Sequence, residues 1–350
     1  RDGHQVVSIE DAVGRVSIIP LLVSDEAQGE IYRAIEGRLE EGDAIVTAHG
    51  FSLLFDEMKP RTDLDVIMLA PRMPGDPIRD AYSNGEGVPA FFSVFQDYTG
   101  RAKERGLALA KAIGFTRAGV GELSVRQETV IDLFMEQYYV AGIIQQIQDS
   151  FNVLTEAGFS PEAVVSELYV SGDFGRGLLK AAEDGLFEAF RGYVSQDSQF
   201  GTAQTRAFDA WRQGIQSEGN RDPRLFGDVG YTRARVDSLD HGIQEYVEGT
   251  HLSGIMQLMQ NSFEVLTEAG YSPEAVVSEL YASGEIGEVL LKAADQGLFA
   301  AFQNNASLTC QFGIAQARVR TILGVGKGPK EILNDIEDGS FARSLEGEAA

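Results

Sequence analysis

Asp132 and Glu136 stand four residues apart in the proline-free run from Glu128 to Gln148, which reads as helix, so both carboxylates share one helical face. Glu128 places a third acid on that face, one turn earlier. The neighbours Ile131, Leu133, Phe134, Met135, Tyr138 and Tyr139 are apolar. One reading is an exposed acidic stripe, the common fate of helix carboxylates. The other is a hard-metal site, because ionised carboxylates in a partly dry place need a cation. His49, in Thr47-Ala48-His49-Gly50-Phe51, directly follows an apolar strand candidate. The carboxyl end of a parallel strand is where such sheets bind ligands, and a hydrogen-bonded turn histidine is the alternative. With four histidines and the single Cys310, the chain does not hold the donors of an ordinary zinc site. Gly324-Val325-Gly326-Lys327-Gly328 is not a phosphate loop: no strand precedes it and the Lys-Ser/Thr ending is missing. No glycine fingerprint for a dinucleotide occurs in the chain.

These side chains need a frame, and the pattern predicts one of two kinds. Residues 16–22, 44–48, 65–70 and 89–95 read as strands, with helices over residues 26–39 and 101–113. Alternation at that spacing predicts a parallel sheet flanked by helices. Pro20 fits the first strand only at an edge or a bulge. From Glu128 the pattern is helical throughout, with Pro161 just after Ser160 and a further helix from Leu178 to Phe190. The boundary falls near Gly121–Arg126.

The helical part contains a repeat. Ser160-Pro161-Glu162-Ala163-Val164-Val165-Ser166-Glu167-Leu168-Tyr169 returns unchanged from Ser272 to Tyr281, an offset of 272 − 160 = 112. The match runs without a gap from Gly142/Gly254 to Arg206/Arg318, so two copies of one unit are expected to pack about a pseudo-twofold axis. The offset maps Gln244 onto Asp132 and Glu248 onto Glu136. Only the first copy therefore carries the Asp/Glu pair, which suggests one asymmetric site drawing on both copies.

The chain has 350 residues, and 29 basic against 53 acidic side chains give −24. That balance argues against a broad nucleic-acid surface and against docking on anionic lipid. Apolar residues at 43% fit a globular protein, and no apolar run is long enough to span a bilayer. One cysteine allows no intrachain disulfide, and a cytoplasmic location is the simplest expectation.

The spaced set Ala48-His49-Gly50-Phe51, Ala70-Pro71-Arg72-Met73-Pro74-Gly75, Gly87-Val88-Pro89, Gln96-Asp97, Gly100, Glu128, Asp132-Leu133-Phe134-Met135-Glu136-Gln137 and Gly339-Ser340-Phe341-Ala342-Arg343 resembles the ketol-acid reductoisomerases. The resemblance covers nearly the whole chain, in order. It implies an α/β dinucleotide-binding domain, here lacking its first strand and glycine loop, followed by an all-α, duplicated, knotted domain. The divisions it suggests are residues 1–123 as a partial Rossmann-type cofactor domain, 124–206 as helical repeat 1, 207–240 as a connecting segment, 241–318 as helical repeat 2, and 319–350 as a C-terminal tail. It implies NADPH or NADH, two magnesium ions, a small-molecule substrate and a homodimer. The implied reaction is an alkyl migration in a 2-hydroxy-3-keto acid followed by hydride reduction.

Carried over by motif, Asp132, Glu136 and Glu279 would ligate magnesium. His49, Arg72 and Glu128 would be catalytic, with Ser24, Asp25 and His49 beside the cofactor and Ser307 and Ser283 beside the substrate. The departures are several. Ser171 and Ser283 replace a glutamate, which would weaken one of the two metal sites. Arg72 replaces a lysine, Met135 a glycine, and Ser24 the proline of a Pro-Asp-Glu run. Together they predict a substrate other than acetolactate. An ordinary acetohydroxyacid reductoisomerase of branched-chain amino-acid biosynthesis and a non-catalytic paralogue are the alternatives. Arg1-Asp2-Gly3-His4 matches a point well inside the family's cofactor domain, so the expectation is a piece of a longer chain.

Overall fold

The computed structural model describes residues 5–73, 75–186, 188–189 and 243–349. The expected connecting segment and the repeat positions from 191 to 206 lie outside the described residues. By contacts the chain divides into two compact units, Arg1–Leu133 with Asn334–Ala350, and Phe134–Leu333. Among the described residues no helix is long and apolar enough to cross a membrane.

The first unit is built on a five-stranded sheet in the order β1-β2-β3-β4-β5. The strands are Ile18–Leu21 (β1), Ala44–Thr47 (β2), Asp65–Pro71 (β3), Ala90–Gln96 (β4) and Val120–Glu122 (β5). The unbroken apolar runs of β2 and β3 are buried along nearly their whole length, as expected of strands covered on both faces. Pro20 is accommodated because, among the described residues, β1 pairs only with β2 and lies at the sheet edge.

The expected parallel sheet is present, with one reversal within it. β1, β2 and β3 are parallel, but β4 runs antiparallel to β3, with Pro71 opposite Ala90, and β5 is parallel to β4. A parallel partner would need a crossover helix covering the sheet. The helix between β3 and β4, Gly75–Ser83, fully buries no residue, and its Ile78 and Ala81 pack partly buried against the core. The backbone N–H of Arg72 donates to the Pro89 carbonyl at 2.8 Å, closing the turn-back at that end. Helix α5, Ala102–Ala112, buries Ala102, Gly106 and Ala110, and the two alanines join the core formed by Val46, Ile67, Leu69 and Phe92. Asp65, fully buried, accepts from the Tyr98 and Thr99 backbones, the Thr99 hydroxyl and Arg105 Nη1 at 2.7–3.0 Å. It is a structural acid that ties the loop after β4 to the start of β3.

In the second unit, residues related by 112 adopt the same elements. Ala141–Glu156 matches Leu252–Glu268, Pro161–Val165 matches Pro273–Val277, and Asp173–Asp184 matches Glu285–Gln296. Ser160 and Ser272 each cap their helix by accepting from the N–H three residues on, at 3.3 Å, with proline next as the favoured first residue. The contacts are reciprocal. A Cβ on Gly142 would lie 2.8 Å from Leu258, and one on Gly254 would lie 2.8 Å from Gln146, where 146 + 112 = 258. A Cβ on Gly175 would lie 3.0 Å from the Gly287 carbonyl, and one on Gly287 would lie 3.0 Å from that of Gly175.

Among the described residues, four helical segments widen into π turns: Met135–Val140, Ser166–Val170, Val247–His251 and Ser278–Ala282. They too are related in pairs by 112. Glu136, Glu167, Glu248 and Glu279 each occupy the second residue of a π turn. The turns bearing Glu136 and Glu279 pack on each other.

Candidate active site

In the first unit the site begins where the parallel strands end. Ser24 and Asp25 open the helix Asp25–Ile35 (α2) just after β1, His49 follows β2, and Arg72 follows β3. Helix α6, Val125–Phe134, brings Glu128 and Asp132. Gly50 is what allows the approach: a Cβ there would lie 2.2 Å from Thr129 Oγ1 and 2.7 Å from Val125, both on α6.

Arg72 is 4% exposed and bridges the two α6 acids. Its Nη1 donates to Asp132 Oδ1 and its Nη2 to Glu128 Oε1, each at 3.0 Å. The fork spans two carboxylates one turn apart, which a lysine's single ammonium does less well. Its guanidinium carbon also lies 5.4 Å from the Phe91 ring centroid. On the other side of Asp132, Oδ2 lies 3.3 Å from His49 Nε2, and His49 Nδ1 lies 2.7 Å from Asp25 Oδ2.

The electrostatics follow from this packing. Burial works to lower the His49 pKa, but Asp25, Glu128 and Asp132 outweigh it and hold the imidazole well above its ordinary range. Glu128 is fully buried, and burial pushes its carboxyl up, against the opposing pull of His49 and Arg72. Three acids face two bases here, a surplus of one negative charge when all are ionised.

In the second unit, the Ser307 hydroxyl donates to Glu136 Oε1. The same oxygen accepts from the Cys310 N–H at 2.9 Å and so caps the sixteen-residue helix Leu308–Leu323. With its one proton committed to a carboxylate, Ser307 must accept from Thr309 Oγ1 at 2.7 Å. Gln137, 5% exposed, donates to the Thr309 carbonyl at 2.8 Å and lies over Gly313, where a Cβ would come within 2.2 Å of it. Glu279 is 6% exposed. Ser283 is 7% exposed and accepts from the Glu285 N–H at 3.3 Å, and Ser171 does the same with Asp173 in the first copy. Both serines therefore also serve the turn into the next helix.

The structure brings together Asp25, His49, Arg72, Glu128 and Asp132 in one unit, and Glu136 and Ser307 in the other. Ser24 makes no side-chain cap to α2. The donors present are hard oxygens, the type magnesium takes, although among the described residues no three His, Cys, Asp or Glu side chains are gathered as a metal site. The glycine-rich run at Gly324 follows a helix, with Gly324 at its left-handed end (φ 67°), which agrees with excluding a phosphate loop. Sequence reasoning missed Gln28 and Ser52, which continue the first cluster inward. Their i, i+3 spacing from Asp25 and His49 was the available signal.

Comparison with known proteins agrees with this arrangement. Residues 1–119 match the acetohydroxy acid isomeroreductase NADPH-binding domain, and residues 125–213 and 248–350 match the ketol-acid reductoisomerase C-terminal domain. The chain belongs to the ketol-acid reductoisomerase family. The ketol-acid reductoisomerase (NADP(+)) of Pyrococcus abyssi is 46% identical over 169 residues, 48% of this chain and 51% of that protein. That of Petrotoga mobilis is 40% identical over 207 residues, 57% of this chain and 61% of that protein. The chain thus spans between half and two thirds of the length of the curated reductoisomerases it matches. The solved NADH-preferring ketol-acid reductoisomerase from an uncultured archean is similar over 91% of this chain and 80% of that one, at 26% identity and a TM-score of 0.54.

Proposed function

We propose that this protein is a ketol-acid reductoisomerase, acting on a 2-hydroxy-3-keto acid by alkyl migration and then NAD(P)H-linked reduction to a 2,3-dihydroxy acid. The observation that carries the reading is the Arg72 fork across Glu128 and Asp132, with His49 on the second oxygen of Asp132. Alkyl migration takes a proton from the 2-hydroxyl and delivers one to the 3-keto oxygen. Glu128, with its proton affinity raised by burial, and His49 Nε2 are the groups suited to hold those protons. Magnesium, held by Asp132, Glu136 and Glu279, would polarise the ketone and stabilise the developing alkoxide. Ser307, at a helix N-terminus, would take a substrate carboxylate by turning its hydroxyl proton to it from Glu136. Ser24, Asp25 and His49, at strand ends, are the cofactor-facing residues.

Within that class, Arg72, Met135 and Ser283 support a substrate other than acetolactate. Arg72 is a buried fork, Met135 is 4% exposed next to Glu136, and Ser283 offers a hydroxyl where the family has a carboxylate. The name carried by the curated relatives favours the second reading, an ordinary acetohydroxyacid reductoisomerase. The assay is NADPH or NADH oxidation with magnesium and a panel of 2-hydroxy-3-keto acids. Acetolactate turnover of about 10 per second would establish the ordinary enzyme and discard the altered substrate. Slow acetolactate turnover with another acid preferred would support the main reading. No dihydroxy acid from any member of the panel would sink both.

A further inference from the structure

Behind His49 runs a buried line of polar contacts. Ser52 is fully buried and its hydroxyl donates to Gln28 Oε1 at 2.6 Å. Gln28, 2% exposed, donates from Nε2 to Asp25 Oδ1 at 3.0 Å. Asp25 Oδ2 in turn lies 2.7 Å from His49 Nδ1. Asp25 and Gln28 are spaced i, i+3 on α2, and His49 and Ser52 are spaced i, i+3 across the turn after β2, so two contacts form between the same two elements.

The line has a direction. An amide has one accepting end and one donating end, and a carboxylate only accepts. Turning the Gln28 amide over would set Oε1 against Asp25 Oδ1, two acceptors face to face in a buried place, at a cost of about 1–3 kcal/mol. Because Asp25 only accepts, Nε2 must face it and Oε1 is left to accept from Ser52, while the other oxygen of Asp25 accepts from Nδ1–H of His49. That fixes the ring with Nε2 toward Asp132, 3.3 Å away.

We infer that Gln28 and Ser52 are positioning residues, which act through Asp25 to hold the His49 ring with Nδ1 as donor and Nε2 facing Asp132. The inference rests on placing His49 in the reacting site, as above. It assigns Asp25 to orienting the histidine, and it predicts that the donor pattern, more than the identity of any one residue, is what the site needs.

A donor swap on the full chain tests it. Asp25→Asn sets an amide N–H against Gln28 Nε2 or against His49 Nδ1–H as long as Gln28 keeps its orientation, and Gln28→Glu sets two carboxylates together. The double variant Asp25→Asn/Gln28→Glu restores every donor to an acceptor, with Ser52 and Asn Nδ2 donating to the new glutamate and Asn Oδ1 accepting from Nδ1–H. With ¹⁵N-histidine label, assigned by His49→Gln, the Nδ1–H resonance of His49 should be present in the wild type, lost in each single variant and regained in the double. Each single variant should lower kcat roughly 10- to 100-fold with KM within about threefold, and the double should recover to within about threefold of wild type. A double variant no better than the worse single, or an unchanged Nδ1–H resonance in both singles, overturns the inference. If Asp25→Asn does not fold, Gln28→Glu decides: with two carboxylates set together, loss of the Nδ1–H resonance supports the inference and its persistence overturns it. The resonance is read without turnover, so a protein inactive on every ketol acid would refute the proposed reaction while leaving this test intact.

Discussion

The segments Ser160–Tyr169 and Ser272–Tyr281 share all ten residues, the same serine cap, the same short helix and the same π turn. Yet Glu167 is exposed and Glu279 is 6% exposed, and Ser171 is exposed where Ser283 is 7% exposed. Identical local sequence gives identical backbone, and tertiary surroundings alone decide what each carboxylate meets. A similar divergence appears where the copies differ in sequence. Tyr139 and His251 are equivalent positions, both fully buried. His251 Nδ1 lies 3.0 Å from Ser150 Oγ and its ring is edge-on to Phe174, whereas the Tyr139 hydroxyl has no hydrogen-bond partner among the described residues. The two matching segments thus keep the same scaffold while their buried polar groups differ.

The strongest test of that contrast is functional. Glu279→Gln should lower reductoisomerase activity by about 10³-fold, as loss of a charge aimed at a developing transition state does, while Glu167→Gln should leave it within about twofold. Steady-state kinetics on variants of matched thermal stability read this out, and equal losses would break the asymmetry. Calorimetry with magnesium provides a second arm: Asp132→Ala should abolish the tighter binding step.

The next effect concerns pH. Burial lowers the His251 pKa to about 4, despite a hydrogen bond to the Gln146 backbone that raises it. A folded value below the ordinary 6.5 means the neutral ring's stability is fully present above about pH 6.5 and is lost as pH falls toward 4, in total about 3 kcal/mol. Urea denaturation at pH 7.5 and 4.5 should show a steeper loss in the wild type than in His251→Tyr, which installs the first copy's residue. Parallel slopes would show that this position does not distinguish the copies.

Two smaller effects should be symmetric. Gly175→Ala and Gly287→Ala each push a Cβ to 3.0 Å from the other's carbonyl, and each should cost about 1–3 kcal/mol, equal within about 0.5 kcal/mol. Ser160→Ala and Ser272→Ala should each cost about 1 kcal/mol through the lost cap. Unequal costs at either pair, measured by denaturation, would show that the scaffold itself has diverged.

Much of this was readable beforehand, for physical reasons that differ by region. β2 and β3 were plain because strands covered on both faces are continuous apolar runs. Pro20 pointed to an edge because it has no N–H for a second neighbour. The reversal of β4 was not readable: local pattern marks a strand but not its direction. Asp132 and Glu136 stood out by spacing, but the π turn beginning at Met135 did not, since no residue type encodes it. Nor could spacing show that Arg72, sixty residues from Asp132, closes on it. Asp65 and Gln28 were invisible for the opposite reason: a buried polar residue looks like any other polar letter until its partners are folded around it.

The π turns carry a consequence for anyone recombining these helices. Each is a helix with one residue more than its α-helical frame needs, so the faces before and after it run out of phase by roughly a quarter turn. Splicing a helix from a relative at any point inside Met135–Val140 or Ser278–Ala282 with one residue gained or lost would keep the helix and rotate everything downstream. Chimeras should therefore join in the regular stretches, such as Ala141–Glu156, and transplant each π turn whole.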